Sequence, residues 1–158
     1  MDERKLSGYI EKYHGNIFRL AYGYLKNSHD AEDIVQEAFL KLYMSKTCFE
    51  KDDNVKAWLI RVSINLCKDR LRSFWFKNRS ELPMDIPFEN KEEDVLLSLI
   101  NKLKPEHRAV IILFYYEDYS IKEIAEILRI SESAVTTRLS RARKKFKDLL
   151  LKEGYNEK

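Results

Sequence analysis

The sequence predicts an all-α protein made of two small helical domains joined by a linker. Three observations carry this reading. Only 4 glycines and 3 prolines occur in 158 residues, while the helix formers Leu, Lys and Glu, together with Ile, are abundant. Apolar residues recur every three to four positions, and no stretch alternates as a half-buried strand would. Helical periodicity fails in one internal stretch, FKNRSELPMDIPFENK at 76–91, which holds Pro83 and Pro87 among residues of mixed polarity and reads as a linker. The expected domains are therefore 1–75 and 92–158, with the linker at 76–91.

Helices are expected near 5–26, 30–45, 53–74, 92–103, 105–117, 120–128 and 131–151. Start signals support several of them. Ser120 and Glu123 have capping-box spacing, Ser131 suits the cap of the last helix, and Pro105 suits a first helical turn, where a missing N–H costs nothing.

Composition narrows the function. No apolar run approaches the roughly 18 residues of a membrane span, and no signal-peptide pattern opens the chain. Cys48 and Cys67 form no C-x-x-C pair and are expected as reduced thiols, with Cys67 buried. A cytoplasmic protein is the expectation. His14, His29 and His107 lack metal-ligand spacing, so no metal is expected. No convergent His, Cys and carboxylate group and no Gly-rich phosphate loop is visible, so neither an enzyme nor a cofactor or small-molecule substrate is expected.

The net charge of +3 hides a strong pattern. Residues 1–50 carry 7 basic and 8 acidic groups, 51–80 carry 8 and 3, 81–118 carry 4 and 9, and 119–158 carry 10 and 6. Two basic blocks around an acidic one suggest two places where a polyanion docks, although solvated helix faces would give the same counts. The densest block runs from Arg138 to Lys147, with six basic side chains and no acid.

That block lies in YSIKEIAEILRISESAVTTRLSRARKKF, which has the spacing of a helix-turn-helix. Ile124, Ala125 and Leu128 are expected on the inner face of the first helix, with Ile130 in the turn. Val135, Leu139, Ala142, Phe146 and Leu149 fall within an arc of about 80° on the second helix. Arg138, Arg141 and Lys145 share another face with Lys144 beside it, and Ser133, Thr136, Thr137 and Ser140 also lie off the apolar seam. Arginines and hydroxyls can read base edges in the major groove, while lysines grip phosphates without sequence choice. Arg129 stands at the turn where glycine is common, and a left-handed backbone there would be strained.

In the N-terminal half, NVKAWLIRVSINLCKDRLR is apolar on most of its circumference. Arg61, Asn65, Lys68 and Arg72 form one polar ribbon about 60° wide. Tyr43, Phe49 and Trp58 lie near it in sequence; they are available either to stack on unpaired bases or to fill the core. In DAEDIVQEAFLKLY the buried stripe is Ala31, Ile34, Val35, Ala38 and Leu42. Opposite lie Asp33, Gln36 and Glu37 with Leu40 among them, a pattern of a protein-docking patch or of an ordinary solvated face.

Taken in order, RLAYGYLKNSHDAEDIVQEAFLKLY, KAWLIRVSINLCKDRLR, LKPEHRAVIILFYYEDYSIKEIAEIL and ISESAVTTRLSRARKKF resemble the bacterial RNA polymerase sigma factors of the extracytoplasmic-function (ECF) group, over about residues 5–150. The resemblance implies a sigma region 2-like bundle followed by a sigma region 4-like helix-turn-helix. Asp33, Gln36, Glu37 and Leu40 would dock on the β′ clamp helices of core polymerase. Phe49, Trp58, Arg61, Asn65, Lys68 and Arg72 would serve the −10 promoter element, with an extruded base held by the loop before Trp58. Ser133, Thr136, Thr137, Arg138, Ser140, Arg141, Lys144 and Lys145 would serve the −35 element. The acidic linker would thread through the polymerase, the C-terminal domain would also touch the β flap, and an anti-sigma factor would be a further partner. Thr136 departs from many family members, which carry a basic residue there. Two rival readings are a sigma mimic that sequesters an anti-sigma factor without binding DNA, and a dimeric helix-turn-helix repressor. The first leaves both basic surfaces without a use, and the second leaves the N-terminal ribbon and acidic patch idle.

Overall fold

The computed structural model describes residues 1–77, 99–100, 102–152 and 154. The expected linker begins two residues late, since Phe76 and Lys77 continue the third helix; 78–91, with Pro83 and Pro87, and most of the expected helix at 92–103 lie outside the described residues. The chain divides into two compact units, Met1–Asp85 and Ile86–Lys158. Among the described residues every regular element is helical, and no helix is long and apolar enough to cross a membrane.

The first unit holds α1 (Glu3–Leu25), α2 (Ser28–Met44) and α3 (Asp52–Lys77). Asp2 caps α1 by accepting from the Lys5 N–H at 2.8 Å, and Asn27 caps α2 by accepting from the Asp30 N–H at 2.9 Å. Between them Lys26 adopts the left-handed region at φ 60° and closes α1 through its N–H to the Tyr22 carbonyl. Two residues thus turn the chain, and α1 packs against both α2 and α3. The stripe Ala31, Ile34, Val35, Ala38 and Leu42 is buried as expected, with Phe39 added to it. It meets Ile17, Leu20 and Leu25 of α1 and Val55, Leu59, Ile60 and Ile64 of α3 in one core, where Cys67 is also buried. Each fully buried Leu or Ile contributes about 1.5–3 kcal/mol. Exposed ion pairs between the helices contribute at most about 1 kcal/mol each, so packing supplies the stability.

Those polar links fix register instead. Asp52, in the first turn of α3, accepts from Lys12 Nζ at 3.1 Å and from the Tyr9 hydroxyl at 3.3 Å, while its carbonyl accepts from the Tyr13 hydroxyl at 3.1 Å. At the other end of the bundle, Arg70 Nη1 lies 3.5 Å from both Asp30 Oδ1 and Asp33 Oδ2. Arg70 therefore ties α3 to the first turns of α2.

The second unit holds α4 (Pro105–Ile111), a π-helical extension (Ile112–Tyr116), α5 (Ile121–Leu128) and α6 (Glu132–Lys152). The expected single helix at 105–117 is thus regular only to Ile111. Beyond it the Glu117 N–H reaches the Ile112 carbonyl at 3.0 Å, five residues back, and the turn widens. Periodicity could not forecast this, because 109–113 is apolar on every side, and all five of those residues are buried.

The capping box is formed: the Ser120 hydroxyl accepts from the Glu123 N–H at 3.1 Å, and the Ser120 N–H donates to Glu123 Oε1 at 3.0 Å. Ser131 caps α6 through the Ala134 N–H at 3.0 Å. Arg129 ends α5 in the left-handed region, at φ 57° and ψ 46°, as the turn demanded. On the inner face of α5 the structure corrects one expectation. Ile124 and Ala125 are buried, but Ile127 takes the place expected of Leu128, which is only half-buried. Along α6, Val135, Leu139 and Ala142 are buried, whereas Phe146 and Leu149 are half-buried.

Candidate nucleic-acid interface

On α6 the buried seam turns the opposite face outward. Ser133, Thr136, Thr137, Ser140, Arg141, Lys144 and Lys145 are all exposed. Arg138 is different: its side chain is 27% exposed, and its Nη2 lies 3.7 Å from Glu106 Oε2 on α4. The outward arginine face expected at Arg138, Arg141 and Lys145 therefore has one member leaning on a neighbouring helix. Its partner was invisible in the sequence, since the two residues lie 32 positions apart.

Two further details set what this face offers. The Thr136 hydroxyl donates to the Glu132 carbonyl at 3.0 Å. Its hydrogen is committed to the helix, so Thr136 presents a lone pair and a methyl group at the surface. Arg143 Nε donates to the Tyr115 hydroxyl at 2.6 Å, and its guanidinium lies 5.6 Å from the Tyr115 ring centroid and 5.5 Å from that of Phe114. One of the six bases in 138–147 is thus held by aromatics of the π-helical extension. Arg141, Lys144 and Lys145 make no hydrogen bond or ion pair with another described residue.

His107 sits half-buried near this face, with Nε2 3.9 Å from Glu106 Oε1. Burial pushes its imidazole below the ordinary value of 6.5; Glu106 opposes the drop, and Lys104, Arg138 and Arg141 add to it.

In the first unit, Asn65, Lys68 and Arg72 are exposed along α3, and Arg61 is half-buried. The ribbon is less cationic than its four members suggest. Asp69 is also exposed on α3, and its Oδ1 accepts from Arg72 Nη2 at 2.8 Å. At the N-terminal end of the ribbon Phe49 and Trp58 are both half-buried and meet edge to face, with centroids 6.0 Å apart. They pack on each other while keeping part of each ring accessible. Tyr43 is 41% exposed.

On α2 the outward face carries Gln36, Glu37 and Leu40, all exposed. Leu40 does not stand alone: it is 57% exposed, and Met44 one turn on is 72% exposed, with Tyr43 beside it. Sequence reading missed Met44, although its i+4 spacing from Leu40 was available. Asp33 is held in place by Arg70 at 3.5 Å and by His29 at 3.6 Å. His29, Asp30 and Asp33 bring three possible metal-ligand atoms together, which the spacing argument did not anticipate. Arg70 already offsets both carboxylates, and the group reads as an ion-pair cluster.

Residues 9–76 match the protein family described as Sigma-70 region 2, and residues 93–146 match Sigma-70, region 4. A curated relative, the ECF RNA polymerase sigma factor SigW of Bacillus subtilis (strain 168), is 32% identical over 90% of this chain and 87% of its own. The chain belongs to the ECF RNA polymerase sigma factors. A second relative, the RNA polymerase sigma factor SigV of the same strain, is 32% identical over 91% of this sigma factor and 90% of its own length. The fold is also that of the sigma factor RpoE solved in complex with the anti-sigma factor NepR from Bartonella quintana: TM-score 0.79 at 21% identity, covering 93% of this chain and 97% of that one. The family consists of transcription regulators rather than enzymes. Its two matched regions fall one on each compact unit, so the α3 ribbon and α2 face lie in region 2, and the α6 face lies in region 4.

Proposed function

We propose that this sigma factor directs core RNA polymerase to promoters by using three surfaces in named roles. The reading assigns residues 1–75 to core docking and the −10 element, 76–91 to a linker that threads through the enzyme, and 92–158 to the −35 element. Within α6, Thr136, Thr137, Arg138, Ser140 and Arg141 read bases, and Ser133, Lys144 and Lys145 hold the flanking phosphates. Within the first unit, Arg61, Asn65, Lys68 and Arg72 follow the strand that opens at −10, and Phe49 and Trp58 receive an unstacked base. Asp33, Gln36, Glu37 and Leu40 dock on the β′ clamp helices. The second unit also touches the β flap. The chain acts without a cofactor, is not an enzyme, and works in the cytoplasm under an anti-sigma factor, as the solved relative in complex with NepR suggests.

One observation carries the reading: α6 buries Val135, Leu139 and Ala142 while exposing hydroxyls, Arg141 and two lysines on the other side. That is the chemistry of a helix seated in the major groove, with base readers beside phosphate grips. Mechanistically, helix-turn-helix binding would orient the duplex. Capture of the unpaired strand by the first unit, at a cost of a few kcal/mol of unstacking, would then shift closed complex to open. The test is run-off transcription from a genomic promoter library with purified sigma factor and core polymerase. Initiation that requires the sigma factor is expected, and silence on every promoter would refute the reading.

A further inference from the structure

Glu106 stands out once Arg138 is given a role. It lies in the first turn of α4, half-exposed, and its carboxylate is the acidic group that reaches the strongly basic stretch of α6 at Arg138. No other hydrogen bond or ion pair holds Arg138 among the described residues. An unrestrained arginine carries about 2 kcal/mol of rotamer entropy and follows the nearest phosphate as readily as a base. At 3.7 Å the Glu106 carboxylate forms an ion pair with Nη2 and not a hydrogen bond, so it attracts the guanidinium to the α4 side while every N–H group of the planar fork stays free for a base. Glu106 also repels phosphate, which penalises swinging Arg138 toward the DNA backbone on that side.

We propose that Glu106 is a positioning residue for promoter selection: it orients Arg138 toward a base edge of the −35 element and away from the phosphates. The inference rests on the base-reading role given to Arg138 above. It predicts changes of opposite sign on neutralising one carboxylate. Affinity for unrelated DNA rises because a negative charge is lost, while discrimination between the preferred −35 sequence and its single-base variants falls. A residue that merely supported the fold would lower both.

The experiment uses holoenzyme reconstituted with wild-type sigma factor, Glu106→Gln, Arg138→Ala and the double variant. Binding is measured on promoter fragments carrying every single-base change in the −35 element, and on a fragment with no promoter. Thermal unfolding of each free sigma factor checks that the fold is kept; Gln is isosteric and the site is half-exposed. Glu106→Gln is expected to lower discrimination by about two- to fivefold, the range of a partly exposed ion pair. The loss should concentrate at the base pair whose preference Arg138→Ala erases. In the Arg138→Ala background the second change should have no effect on discrimination. Unchanged discrimination in Glu106→Gln, beside a loss in Arg138→Ala, overturns the inference and leaves base reading by Arg138 standing. Unchanged discrimination in Arg138→Ala overturns that base-reading role and the inference with it. An equal loss from Glu106→Gln with and without Arg138 shows that Glu106 acts by another route, which also overturns it.

Discussion

Arg141 offers the most direct test of the proposed DNA-reading face. It is exposed and makes no hydrogen bond or ion pair with a described residue. Truncation to Ala therefore removes little that supports the fold, and the free protein should change by no more than about 0.5 kcal/mol. If the guanidinium makes a bidentate contact to a base, its loss costs about 1–3 kcal/mol of binding, or about 5- to 150-fold. The two ranges do not overlap, so weakened promoter binding by Arg141→Ala is not a folding effect. Lys144→Ala provides the contrast. A lysine on a phosphate should weaken binding evenly across sequences and lower the salt slope by about one contact. Holoenzyme binding and run-off transcription across single-base −35 variants, at two salt concentrations, separate the patterns. Arg141→Ala should flatten preference at one or two positions. A uniform loss across all variants would show that Arg141 grips the backbone, and no loss would remove it from the interface.

Other perturbations bear on different parts of the molecule. Gln36→Arg with Leu40→Asp should abolish association with core polymerase while circular dichroism stays helical, since both side chains are exposed; unchanged pull-down would eliminate the α2 patch. Arg129→Gly should stabilise the second unit by about 0.5–1 kcal/mol, because relief of about 1–2 kcal/mol of left-handed strain exceeds the extra entropy Gly loses on folding; a lower melting temperature would contradict it. His107 is held below its ordinary value of 6.5 by burial. The unfolded chain therefore binds more protons between the depressed value and 6.5, and stability is full above 6.5 and falls as pH drops beneath it. His107→Gln should flatten that part of the pH–stability curve, and an unaltered slope would assign it to other groups.

Much of this architecture was legible in the chain because it is helical and local. Caps at Ser120 and Ser131, the buried stripe of α2 and the seam through Val135 and Leu139 follow from spacing alone. Most of what escaped depends on which helices meet. Leu128 and Ile127 are both apolar neighbours on α5, and only the crossing of α6 decides which one is enclosed. The ion pair of Glu106 with Arg138 joins different helices, as does the hold of Arg143 by Tyr115, and neither leaves a periodic trace. The capture of Arg72 by Asp69 is of another kind: the two share α3 at i,i+3 spacing, so the sequence already offered that pair. The four ordered motifs identified the family, because each is a run of local helical spacing.

The wide turn at Ile112–Tyr116 gives this part of the protein one position to spare in length. Conventional winding advances about 100° per residue, and a π turn accommodates one additional residue in its loop. Deleting a single residue there would restore regular winding and leave the later side chains close to their present phase. The same deletion in the middle of α6 would swing every later side chain around the axis by roughly 100°. A shortening by one should therefore be absorbed at the wide turn far more readily than in α6.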